Sequence, residues 1–123
     1  MKRFLLDTNI CIYFMKGKFE LLTIFEKLKP EQLYISEITL AELKYGIECS
    51  EYKGKNKKTL DKFLTHISIL PIFHSINLYA KEKFRLRKSG ITIDEFDLLI
   101  GVTSITHQMY MVTNNTKHFK YLK

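Results

Sequence analysis

The sequence predicts an α/β sandwich on a mainly parallel sheet, and three observations carry that expectation. Short, continuously apolar segments recur at Phe4–Leu6, Leu33–Ile35, Ile67–Leu70 and Met109–Val112. Lacking period-two alternation, they suit strands buried on both faces of a parallel sheet. Stretches with helical spacing lie between them, and Gly17, Pro30, Gly54, Pro71 and Gly90 punctuate the series, with no internal repeat. Alternating strand and helix signals argue for parallel strands joined by helical crossovers. At 123 residues, residues 1–123 read as one domain, and 46% apolar content is enough for one packed core.

Each element follows in order. The first strand runs directly into Asp7-Thr8-Asn9, where a helix over 8–16 begins. A second helical pattern covers 19–28 and precedes the strand at 33–35. Ser36 then leads into a helix over 37–50, in which Ile38, Ala41, Glu42, Tyr45 and Cys49 fall at spacings of three and four and predict an inward stripe. Helices over 56–66, 75–89 and 94–108 complete the pattern around the last two strands.

Lys and Arg outnumber Asp and Glu by 20 to 13, and the surplus gathers in KGKNKK (53–58), KEKFRLRK (81–88) and KHFKYLK (117–123). Such a surface attracts polyanions, although a solvated basic face explains the charge equally well. Cys11 and Cys49 have no CxxC spacing and read as buried free thiols, which fits a reducing cytoplasm. MKRFLL begins like a signal peptide, but Asp7 and Asn9 break its apolar region. Residues 63–80 lack formal charges, yet Pro71 and two histidines speak against a membrane span. A cytoplasmic protein without a membrane segment is expected.

Ligands of open parallel sheets bind beyond the carboxyl ends of the strands. The candidates there are Asp7-Thr8-Asn9, Ser36 and Thr113-Asn114-Asn115. Of only four aspartates, Asp7 and Asp97 are embedded in apolar sequence, FLLDTNI and EFDLLIG, and Glu42 is a third such acid in ITLAELKYG. Taken singly, Asp7 and Asp97 read as helix-start acids, and Glu42 as a solvated or ion-paired side chain. Capping does not explain the set. Clustered carboxylates repel unless a cation neutralises them, and their oxygens select Mg²⁺ or Mn²⁺ over zinc. His66, His74, His107 and His118 are scattered and read as ordinary histidines.

The motifs LLDTNI, TLAELKYG, FDLLIG and VTNNTKHF, in this order over essentially the whole chain, resemble the PIN-domain ribonucleases, specifically the VapC toxins of bacterial type II toxin–antitoxin systems. The resemblance implies an α/β/α sandwich with a parallel sheet of four or five strands. It assigns Asp7, Glu42 and Asp97 as the catalytic, metal-binding acids. The fourth acidic position falls on Asn115, a weaker neutral ligand, and Thr113 orients the acids by hydrogen bonds. The implied reaction is metal-dependent hydrolysis of structured RNA, tRNA or rRNA, with Mg²⁺ as cofactor and Mn²⁺ as its substitute. Lys16, Arg85, Arg87 and Lys88 are candidates for holding the RNA backbone. A VapB-like antitoxin and a homodimer are the implied partners. Two rival readings remain: a haloacid dehalogenase-like phosphatase using Asp7 and Ser36, though Asn9 stands where its second acid belongs, and a catalytically degenerate RNA-binding PIN domain. A receiver-like domain would need an Asp closing the third strand, and SILPIF has none.

Overall fold

Every strand but the last is followed by a helix that carries the chain back across the sheet, so all strand pairs are parallel. The computed structural model describes residues 2–17 and 27–113. Its strands are β1 (Phe4–Leu6), β2 (Leu33–Ser36), β3 (Ser68–Leu70) and β4 (Tyr110–Val112), in the spatial order β3-β2-β1-β4. Helix α1 (Thr8–Met15) follows β1; α2 (Glu37–Glu48) and α3 (Lys53–Leu64) join β2 to β3; α4 (Ile76–Lys88) and α5 (Glu95–Thr106) join β3 to β4. The expected α/β/α sandwich is present, with four strands in the described residues.

Leu5 and Leu6 on the central strand are both fully buried and point to opposite faces, as the strand period requires. Leu6 packs with Ile10, Cys11, Leu43, Leu60 and Phe63 beneath α1, α2 and α3. Leu5 packs with Ile100 and Met109, and Leu86, Leu98 and Val102 seal α4 against α5. Burying each such leucine contributes roughly 1.5–3 kcal/mol before the entropy of ordering is subtracted. Leu5 pairs with Tyr34 on one side and Met111 on the other. The ladder continues one step further, since the Asp7 amide donates to the Val112 carbonyl at 3.1 Å. Asp7 is thereby fixed at the carboxyl edge of the sheet.

Several expectations need correction. Among the described residues β3 and β4 are edge strands rather than strands buried on both faces, and Ile69 and Tyr110 are exposed. On α2 the buried residues are Thr39 and Leu43, with Leu40 and Ile47 packed beside them, while Tyr45 is 72% exposed. The inward stripe is therefore rotated by about one residue from the predicted one, which leaves Glu42 half-buried at its margin. The packed face is the stripe through Leu40, Leu43 and Ile47, with the buried Thr39 beside it. Cys11 is buried, and burial pushes its thiol well above the ordinary cysteine range, but Cys49 is exposed at the end of α2.

Helix α3 begins at Lys53, three residues before its predicted start. Lys27 and Leu28 form a turn, and the rest of the helix predicted over 19–28 lies outside the described residues, as do Asn115 and the basic tail. Gly90 takes φ +73° after α4, where the Ile91 amide donates to the Leu86 carbonyl and the Gly90 amide to that of Arg87. Gln108 occupies the equivalent place after α5 at φ 54°, a left-handed conformation that usually falls to glycine. Among the described residues no helix is long and apolar enough to cross a membrane.

Candidate active site

Asp7 ends β1 and caps α1, which explains a carboxylate at the junction of two apolar segments. Its Oδ1 accepts the Ile10 amide at 2.9 Å, and its Oδ2 accepts the Thr113 hydroxyl from the end of β4. The residue is only 4% exposed. Burial raises its pKa, the hydrogen bonds from Thr113 and Ile10 work against that rise, and the charge of Asp97 adds to it. Capping and inclusion in an acidic cluster therefore coexist in one side chain.

Glu42 approaches from α2. Its Oε1 accepts the Thr8 hydroxyl at 2.6 Å. Its pKa is also raised, first by burial, against the Thr8 hydrogen bond, and then by the charges of Asp97, Asp94 and Asp7. Asp97 lies in the first turn of α5, yet the cap of that helix is Asp94, whose Oδ1 accepts the amides of Phe96 at 3.0 Å and Asp97 at 3.3 Å. The helix start thus has its own capping acid, and the Asp97 carboxylate acts on Asp7 and Glu42 instead. Three elements distant in sequence bring these acids within each other's field.

The donors are all oxygens, which suits a hard cation. Among the described residues, no three or more His, Cys, Asp or Glu are gathered tightly enough to hold a metal ion by themselves. An ion held by one or two carboxylates that keeps several waters fits this open arrangement, and that is the habit of Mg²⁺.

Beside the acids, a cavity of about 580 Å³ opens between α1, α2 and α3, with Glu42 on its wall and Lys16 and Lys55 lining it. Of the predicted RNA-binding residues, the structure brings only Lys16 to this cavity. Arg85 is engaged by Glu82, its Nη2 donating to Oε2 at 2.6 Å and its Nε to the same oxygen at 3.2 Å. Arg87 lines a separate cavity of about 290 Å³ with Lys83 and Glu95, and the Lys88 ammonium lies 5.0 Å from the Phe84 ring centre. Ser36 is fully buried and caps α2, its Oγ accepting the Thr39 amide at 3.1 Å, so it is no exposed phosphate-handling group.

Sequence reasoning missed the link from Thr8 to Glu42, the buried Thr39 and the position of Lys55. The first two carried a signal, because Thr39 precedes Glu42 by one helical turn in TLAE and Thr8 adjoins Asp7.

A parallel α/β sandwich with a buried acid at the carboxyl end of its central strand and half-buried acids brought to it from two helices defines a class of acid-sited α/β proteins. The chain belongs to the PIN-domain family, in its VapC branch: the PIN domain model matches residues 4–123. It is 36% identical over 125 residues to Ribonuclease VapC2 of Rickettsia felis, a match covering 95% of this chain and 90% of that one. It is 31% identical over 121 residues to the tRNA(fMet)-specific endonuclease VapC of Shigella flexneri, covering 98% and 92%. Among solved structures, DNA-bound VapBC of Salmonella typhimurium superposes with a TM-score of 0.91 at 28% identity, over 99% of this chain and 93% of that one.

Proposed function

We propose that this chain is a metal-dependent endoribonuclease that hydrolyses phosphodiester bonds in structured RNA, tRNA or rRNA, and acts in the cytoplasm as the toxin of a toxin–antitoxin pair. The observation that supports this reading is the hydrogen bond by which Thr8, next to Asp7, meets Glu42 of α2, with the charge of Asp97 raising the pKa of both acids, in a chain whose net charge is +7. Basic surface attracts the RNA. The Shigella flexneri and Rickettsia felis relatives, a tRNA-specific endonuclease and a ribonuclease by name, support RNA as the substrate.

When bound, Mg²⁺ or Mn²⁺ supplies Lewis acidity toward a phosphoryl oxygen and a water of lowered pKa. The protein's own part is positional. Asp7 is fixed through both oxygens, and Glu42 is fixed through Oε1 by Thr8. Leu6 adjoins Asp7 and Leu43 adjoins Glu42, and both leucines are buried with Ile10 in one apolar cluster, which lowers the local dielectric beside these contacts. Lys16 and Lys55 beside Glu42 hold RNA phosphates. The partners in this reading are a VapB-like antitoxin that covers the acidic pocket and a second copy of the chain in a homodimer. Solved VapBC complexes of Rickettsia felis and Salmonella typhimurium support the antitoxin.

Purified protein incubated with total tRNA and rRNA in Mg²⁺ should cut discrete sites, lose activity in EDTA and regain it with Mg²⁺ or Mn²⁺. Full cleavage in chelator overturns the metal mechanism. RNA retained without turnover favours the degenerate binding domain.

A further inference from the structure

A pair of threonines links the first acid to the second. The Thr8 hydroxyl lies 2.6 Å from Glu42 Oε1 and 3.2 Å from the Thr39 hydroxyl. A threonine hydroxyl has one proton to give, and an ionised carboxylate can only accept. Thr8 therefore donates to Glu42, and its oxygen receives the proton of Thr39. The order of donation is Thr39 to Thr8 to Glu42.

Thr39 is fully buried, and the helix that bears it is anchored one turn earlier by Ser36, which accepts the Thr39 amide at 3.1 Å. Valine would fill that space with no polar atom to satisfy, so the hydroxyl has a purpose other than packing. Thr39 and Glu42 sit three residues apart on one face of α2, and Thr8 immediately follows Asp7 at the start of α1. Thr8 thus joins the Asp7 corner directly to the Glu42 carboxylate, and it uses Oε1 alone. Among the described residues Oε2 accepts no hydrogen bond and remains available to an ion or its water.

We propose that Thr8, oriented by Thr39, is a positioning residue that sets the Glu42 carboxylate for metal binding. The assignment rests on the metal-dependent reading above. Both threonines act through Glu42 rather than on substrate, as the hydrogen-bonding partners of metal ligands commonly do.

The test compares full-length wild type with Thr8→Val, Thr8→Ser and Thr39→Val. Mg²⁺ affinity is read from the rise in melting temperature on titration, without RNA, and cleavage is measured across the same Mg²⁺ range. Thr8→Val should weaken Mg²⁺ binding by about 10–100-fold, with cleavage largely recovered at saturating Mg²⁺. Thr8→Ser should restore wild-type affinity, because it keeps the hydroxyl. Thr39→Val should weaken binding in the same direction by a smaller factor, and as an isosteric core change it serves if Thr8→Val does not fold. Wild-type Mg²⁺ affinity in Thr8→Val overturns the inference, as does a Thr8→Ser protein as impaired as Thr8→Val. Wild-type protein that binds no Mg²⁺ overturns the functional reading and this inference together. Unaltered binding in the variants, with a wild type that does bind, overturns the inference alone.

Discussion

Thr113, just past β4, donates a hydrogen bond to Oδ2 of Asp7, just past β1, across 106 positions of sequence. With the Ile10 amide on Oδ1, both oxygens of Asp7 have donors. Asparagine at this position retains a carbonyl oxygen for the helix cap and removes one charge from the acidic group.

Asp7→Asn and Asp97→Asn should therefore fold, with apo melting temperatures equal to or above wild type, while RNA cleavage falls by orders of magnitude. Asp94→Asn should be nearly silent, since asparagine caps helices about as well as aspartate; a cost of about 0.5 kcal/mol or less is expected. Melting curves beside cleavage assays for the three variants decide this. An active Asp97→Asn enzyme removes that residue from the site.

The raised pKa of Asp7 sets the sign of a pH effect. Between the unfolded carboxylate value, about 4, and its higher folded value, the native state binds more protons than the unfolded chain. Stability of the metal-free protein thus falls as pH rises through that window. Glu42 acts in the same direction. The melting temperature of Asp7→Asn should match wild type near pH 4 and exceed it increasingly toward neutrality. Saturating Mg²⁺ should reverse the order. A gap between the two proteins that does not change with pH would refute the burial argument.

The basic residues separate by their partners. Replacing Lys16, which lines the cavity beside Glu42, with Gln should reduce the slope of log affinity for single-stranded RNA against log salt by about 0.7. Arg85→Gln should leave that slope unchanged and lower stability, because the buried Glu82 carboxylate loses its charged donor. Filter binding at several salt concentrations and urea unfolding measure the two effects.

Gln108 carries a side chain where φ is 54°. Gln108→Gly should relieve that conformation and, after glycine's own entropy is subtracted, stabilise the protein by about 0.5–1 kcal/mol in urea unfolding.

The strands and most helices were legible because apolar runs, breakers and helical spacing all pointed to one α/β pattern. Asp7 and Asp97 stood out as acids in apolar sequence. The orientation of Glu42 was harder to read: the stripe through Ala41, Tyr45 and Cys49 was the wrong face, since Leu40, Leu43 and Ile47 are the packed ones and Thr39 beside them is buried within hydrogen-bond reach of Thr8. Arg85 looked like a phosphate ligand by charge alone, and only its approach to Glu82 shows where that charge is used. Spacing within a helix announces a face; pairing between elements far apart in sequence does not announce itself.

Of the described strands the central one is the first to be made, and one of its two neighbours is the last. A growing chain acquires Asp7, Glu42 and Asp97 in turn, but β1 has an open edge until Tyr110–Val112 arrive, and the Thr113 hydroxyl comes one residue later still. Contacts spanning so much sequence form late in folding. A nascent chain cut short before β4 therefore contains every acid of the site and lacks the scaffold that arranges them. In such a chain the capacity to damage RNA is withheld until β4 and Thr113 have been made, by the order of strands alone.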